Sequence, residues 1–140
     1  MAERGVEIEP NAIQQSDFSA TGGYAAASQL FDSMKPTAIF ACNYMMGIGA
    51  LRAAAERHIS VPADCSIIGF DDVELSRYTY PALSTVGQSV RALGEMAAQT
   101  LIDRITGGQN ERQHAPPRLV LRESTSVVPE THLTVRLPRD

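Results

Sequence analysis

The chain has 140 residues, a formal net charge of −4, 44% hydrophobic and 20% charged residues. That is the length of about one domain, with enough apolar content for a core, and it excludes a disordered or fibrous chain. No apolar run approaches the roughly 20 residues of a membrane span, and the opening "MAERGVEIEP" lacks the basic region and apolar core of an export signal, so a cytoplasmic protein without membrane contact is expected.

Lysine occurs once, at Lys35, and the arginines are scattered along the chain. Phosphate-backbone binding needs positive charge concentrated on one face, so this segment alone is not expected to hold DNA. Cys42 and Cys65 both lie in apolar stretches. They read as buried free thiols, since neither a disulfide nor a metal-ligand spacing is evident. No metal and no cofactor is expected.

In chain order, "SATGGYAAASQLFDSM" predicts a helix over 19–34. Ser19 serves as N-cap, and Tyr24, Ala27, Leu30, Phe31 and Met34 form one apolar face. Lys35 and Pro36 stop it, and "TAIFAC" (37–42) reads as a short strand covered on both faces. Asn43 then caps a helix over 44–58, whose Gly47, Gly49, Ala50, Ala53, Ala54 and Ala55 permit close packing. After the loop "SVPAD", "CSIIGF" (65–70) is a second buried strand. "DVELSRY" is one helical turn, broken by Pro81, and "LSTVGQ" (83–88) is a third strand.

Ser89 caps the clearest helix, over 89–108, in which Val90, Leu93, Met96, Ala97, Leu101 and Ile105 recur at intervals of three and four before Gly107 and Gly108. "RLVLRESTS" (118–126) alternates Leu119 and Leu121 with Arg122 and Glu123, as an edge strand does. The stretch after Pro129 has no pattern. This order predicts an α/β fold, doubly wound on a mainly parallel sheet.

In such sheets ligands bind beyond the carboxyl ends of the strands. Asn43, Asp71 and Gln88 all fall at predicted strand ends. Three readings of the adjacent acids Asp71 and Asp72 compete. Either can cap the following turn, which suits Asp72 better. They can be phosphoacceptor or metal-binding acids, although no cationic partner is apparent at a neighbouring strand end. They can also clamp the hydroxyls of a small ligand, with Asn43 donating and accepting beside them. Bonds of that kind are worth about 1.5–3 kcal/mol each when buried and charged. No Ser-His-Asp or Cys-His order points to nucleophilic catalysis, and neighbouring acids cannot easily flank one scissile bond.

The run "PTAIFACNYMMGIGALRAAAERHISVPADCSIIGFDDVELSRYTYPALSTVGQ" closely resembles the effector-binding core of the LacI/GalR family of bacterial transcriptional regulators, and the likeness extends from about Ser16 to Thr125. The resemblance implies a periplasmic-binding-protein-like type I fold, mostly its second subdomain. Residues 1–126 would then be an incomplete effector-binding and dimerisation region, and 127–140 a C-terminal tail. The helix over 89–107 would belong with a first subdomain absent here.

A small effector, sugar or purine-like, would lie in the cleft. Asn43 and Asp71 would bond it, Gln88 would lie nearby at a crossover, and Phe18 of "SDFSA" would offer an aromatic face. The competing reading of Phe18 is a core aromatic below the first helix. Two departures stand out: Tyr44 replaces the family's usual Asp and is a possible pocket neighbour, and the arginine that the family places in the cleft is missing. The resemblance further implies a homodimer, with Met46, Leu51, Tyr78 and Tyr80 as candidate contacts. Core packing competes for Leu51.

DNA would be reached only through an N-terminal helix-turn-helix outside this chain. The expected function is ligand sensing for a LacI-type regulator, without catalysis. A stand-alone sugar-binding protein of the transport class is the alternative, and an enzyme using Asp71 is a third reading.

Overall fold

The computed structural model describes residues 8–107 and 116–127. Three main helices form, α1 (Ala20–Met34), α2 (Tyr44–Glu56) and α3 (Val90–Ile105), together with strands β1 (Ala38–Phe40), β2 (Ser66–Phe70), β3 (Ser84–Gly87) and β4 (Arg118–Val120). Each helix starts where a small polar side chain can take a first-turn N–H. The Ser19 hydroxyl accepts from Gly22 N, Asn43 Oδ1 from Met46 N and the Ser89 hydroxyl from Ala92 N. Such caps satisfy donors that a helix cannot satisfy internally. The expected turn in "DVELSRY" is a 3-10 turn over Glu74–Arg77.

The sheet runs β1-β2-β3-β4. β1 pairs with β2, and β2 with β3, in parallel, whereas β4 returns antiparallel on β3. The expectation of a mainly parallel sheet with a final edge strand therefore holds, with shorter strands than the apolar runs suggested. Past β4 the chain keeps running along the sheet: Ile67 N donates to Ser124 O, and the Ser124 hydroxyl donates to Ile67 O and accepts from Ser84 N.

α1 and α2 lie together on one face. A Cβ on Gly23 would run into the Met46 backbone, and one on Gly49 into the Ala20 carbonyl and Tyr24 N. The small residues are what let the two backbones meet. Beneath them lies a core of Ala27, Phe31, Ile39, Ala50, Leu51, Ala53, Ala54, Cys65, Ile67 and Leu83. Leu51 is only 7% exposed within it. It is a core residue, and the dimer-contact reading of Leu51 is withdrawn.

Two other expectations fail. The strands are covered on one face only: β1 buries Ile39 but exposes Ala38 and Phe40, and β2 buries Ile67 and Gly69 while Ile68 and Phe70 are half-buried. Their apolar content anticipates a second covering layer that the described residues do not supply. Cys42 is exposed rather than buried, because it lies past the end of β1, whereas Cys65 is buried and its thiol is pushed up to about 11, first by that burial and then by Asp64. α3 buries none of its residues, and Val90, Leu101, Ile102 and Ile105 are exposed. The tail expected over 127–140 lies, beyond Val127, outside the described residues.

Two glycine substitutions separate close packing from helix propensity. Gly49→Ala is expected to lower stability by about 1–3 kcal/mol, since its methyl has only backbone to meet. Gly94→Ala in α3, where an added Cβ meets nothing within 4 Å, is expected to raise stability by up to about 1 kcal/mol. Urea unfolding of both variants checks the opposite signs.

Candidate functional site

Because β1, β2 and β3 are parallel, their carboxyl ends share one rim, and Asn43, Asp71 and Gln88 follow those three ends. The antiparallel β4 enters at the same rim, with Arg118 paired to Gly87. The strand-end convergence expected from sequence is therefore present.

Asn43 is held from two sides. Its Oδ1 accepts from Met46 N at 2.8 Å and its Nδ2 donates to the Phe18 carbonyl at 2.8 Å. One amide hydrogen and one lone pair are left for a ligand. Asp17 Oδ1 accepts from both the amide and the hydroxyl of Ser19, bracketing Phe18, which adopts a left-handed φ of 64°. The Phe18 side chain is 62% exposed, so it is no core aromatic.

Asp71 also has a left-handed φ, 83°, and so does Asp72, at 45°. For residues other than glycine this costs of order 1 kcal/mol or more each. The Asp71 amide donates to Val86 O, which ties the turn to β3. Its carboxylate, partly exposed, accepts no hydrogen bond from another described residue. Gln88 is exposed, and its carbonyl accepts from Val90 N. Tyr44 opens α2 half-buried, with its Cα packed 3.5 Å from the place a Gly69 Cβ would occupy.

Asp72 caps nothing. Val73 holds the N-cap of the 3-10 turn with no side-chain bond, and Asp72 instead turns under β3. Its Oδ1 receives Arg122 Nη2 at 2.5 Å and the Thr85 hydroxyl at 3.1 Å, against Gly87. Arg122 also donates to Leu83 O at 2.8 Å, and its amide to the Ser84 hydroxyl. The pair is well covered, with side chains 17% and 11% exposed. Desolvation pushes the Asp72 carboxyl up, but the bonds from Arg122 and Thr85 and the charges of Arg122 and Arg77 outweigh it, so it titrates below its ordinary range.

The two acids thus divide: Asp72 is spent on structure and Asp71 stays free to accept. A cation therefore does reach the strand ends, from a distance in sequence that spacing does not reveal. The alternation over 118–126 predicts an edge strand that runs through Arg122. β4 ends at Val120, and that break in the alternation lets residue 122 turn inward. Among the described residues no group of three or more His, Cys, Asp or Glu could hold a metal ion. No helix among them is long and apolar enough to cross a membrane.

Residues 1–125 match the model of the periplasmic binding protein-like domain. The chain belongs to that family. An HTH-type transcriptional repressor PurR from Salmonella paratyphi B is 42% identical over 129 residues, which are 90% of this chain and 38% of the repressor. The Escherichia coli transcriptional repressor AscG superposes with a TM-score of 0.82 at 31% identity, over 90% of this chain and 46% of that one. The regulator CelR, in complex with cellobiose, does so with 0.81 at 32% identity, over 88% and 38%. The resemblance to the effector-binding region of LacI/GalR regulators is thereby shown, and the chain spans under half the length of these relatives. All three are named as repressors or regulators, which favours sensing over the transport alternative.

In this family member the Asp72–Arg122 pair is open to a direct test. Arg122→Met is expected to cost about 1–3 kcal/mol, because it leaves a covered carboxylate without its main donor. The pH dependence has a definite sign. A depressed carboxyl stabilises the fold fully above its ordinary value of 3.8, and the contribution is lost as pH falls below it. Arg122→Met is therefore expected to flatten the acid side of the stability curve, measured by urea titration between about pH 2 and 6.

Proposed function

We propose that this chain is the effector-sensing part of a LacI/GalR-type regulator. It takes a sugar or purine-like molecule at the β1–β3 rim and relays occupancy to a DNA-binding segment outside these 140 residues. The observation that carries this reading is Asp71, a carboxylate that accepts no hydrogen bond from another described residue, held at a strand end in a backbone conformation that costs energy. Strain of that kind persists where something other than stability requires it.

Asp71 accepts from ligand hydroxyls or N–H groups, Asn43 offers its remaining hydrogen and lone pair, and Phe18 supplies an exposed ring for an apolar sugar or base face. Gln88 adds an amide at the end of β3. A relative that binds cellobiose supports the sugar class, and the PurR repressors support a transcriptional readout. No step of this reading is catalytic. An effector moves such a regulator only by its differential affinity for two states, so the rim by itself supplies binding while the switch needs the partner half of the cleft.

Calorimetry of the 140-residue chain against cellobiose and purine bases tests the assignment. Asp71→Ala is expected to weaken the bound class by about 1.5–3 kcal/mol. Unchanged affinity removes Asp71 from the site and this reading with it.

The same reading includes self-association. Tyr78 and Tyr80 are exposed, Met46 is half-buried at the start of α2, and the apolar side chains of α3 lie uncovered. Large exposed apolar patches mark interaction surfaces. Sedimentation velocity at micromolar concentration is expected to show a dimer or larger species; a folded, strictly monomeric chain counts against it.

A further inference from the structure

Asp71 and Asp72 are consecutive residues in left-handed conformations, with φ of 83° and 45°. Neither is glycine, so the turn is costly and something outside it must hold it. The Asp71 side chain does not hold itself, since its carboxylate accepts no hydrogen bond from another described residue. Its direction is set by backbone: by its own amide on Val86 O and by the residue that follows it.

Asp72 is fixed on three sides. Its Oδ1 receives Arg122 Nη2 at 2.5 Å and the Thr85 hydroxyl at 3.1 Å, and its Cβ lies 3.0 Å from the place a Gly87 Cβ would occupy. Arg122 is in turn anchored on β3, through Nη1 to Leu83 O at 2.8 Å and through its amide to the Ser84 hydroxyl. The next residues keep that backbone in place, as the amides of Glu123 and Ser124 both donate to Ala82 O. The guanidinium is thus a brace between β3 and the turn after β2, with one end of its planar fork on a main-chain carbonyl and the other on a carboxylate.

Stability alone does not account for the brace. A covered ion pair gives little beyond what well-packed apolar groups of the same volume would give, because desolvation cancels most of the attraction. Here the pair also carries a turn that is itself costly. What it delivers is geometry. We propose that Arg122 is a positioning residue of the effector rim: through Asp72 it holds the strained turn that presents the Asp71 carboxylate to the ligand. The inference rests on the effector reading above, and it adds that a covered side chain, without touching the ligand, sets the affinity of one that does.

The 140-residue chain and its variants are titrated with cellobiose and with adenine, and circular dichroism checks that each variant is folded. Arg122→Met is expected to weaken the bound probe by about threefold or more, and by no more than Asp71→Ala does, because the loss passes through Asp71. In the Asp71→Ala background, Arg122→Met is expected to change affinity less than about twofold. Arg122→Lys keeps a cation for Asp72 but loses the second arm of the fork, and is expected to fall between the native chain and Arg122→Met. Phe31→Leu is the control for lost stability: it thins the core about 16 Å along α1 from Ala20 and is expected to leave affinity unchanged. Hydrogen exchange reads the turn without any ligand. Arg122→Met is expected to speed exchange of the Asp71 amide about tenfold more than that of the Ala41 amide, which bonds Ile68 O across β1 and β2.

Equal acceleration at both amides overturns the proposal. So does an equal loss of affinity with and without Asp71, or a folded Arg122→Met chain that binds as the native one does while Asp71→Ala binds more weakly. If Arg122→Met does not fold, Arg122→Lys carries the same exchange and affinity comparisons. Where Asp71→Ala leaves probe binding unchanged, the effector reading fails by itself, and the exchange comparison, which needs no probe, still decides whether Arg122 holds the turn.

Discussion

The parallel pairing of β1, β2 and β3 is the constraint on which the other features depend. A parallel pair cannot be closed by a tight turn, so each connection must travel back over the sheet. The β1–β2 connection does so as α2. These three strands then end at the same rim, and each hands its chain to a loop or a helix N-terminus there. Asn43 is the first residue after that handover, and it is both the N-cap of α2 and the donor to the Phe18 carbonyl. One side chain thus couples the helix geometry to the loop that displays the aromatic ring. The close α1–α2 crossing at Gly23 and Gly49 fixes how far the Phe18 loop stands from Asn43.

The adjacent acids show how one loop separates structure from recognition. Two neighbouring residues in left-handed conformations must send their side chains different ways. Asp72 goes inward, where Arg122 and Thr85 neutralise and bond it. Asp71 is left outward, with its amide anchored on Val86. The inward pair costs desolvation on both ions, which their mutual attraction offsets only because Arg122 also bonds Leu83 O and Asp72 also accepts from Thr85. What that pair supplies beyond stability is position: it holds the turn at the end of β2 against the segment that follows β4.

Most of this architecture was legible because its signals are local. Ser19, Asn43 and Ser89 were readable as caps, since a small polar residue before an amphipathic run has few other uses. The order of strands followed from apolar runs separated by helices. The strand-end pattern picked out Asn43, Asp71 and Gln88, and the family resemblance added their role, since the pattern alone left the acids open between a cap, a phosphoacceptor and a hydroxyl clamp. Illegible features depended on contacts distant in sequence. Arg122 lies fifty positions from Asp72, a separation over which spacing carries no information. The exposure of Cys42 depended on where β1 stops, and the burial of Leu51 on how α1 lies over α2.

The same reasoning explains why the strands misled on their outer face. Residues such as Phe40, Ile68 and Phe70 are apolar because a parallel sheet in a doubly wound fold is sandwiched between layers. Here α1 and α2 form one layer, and the opposite face, the apolar side of α3 and the free edge of β1 are all uncovered together. These are not three separate oddities. Each is a surface whose composition fits a partner beyond the described residues, and the chain covers less than half of the regulators it resembles. They differ in what they ask of that partner. The sheet face and α3 ask only for apolar area, which many surfaces supply. The β1 edge differs in kind, since its outward backbone groups at Ala38 and Phe40 are satisfied by hydrogen bonds and not by apolar area.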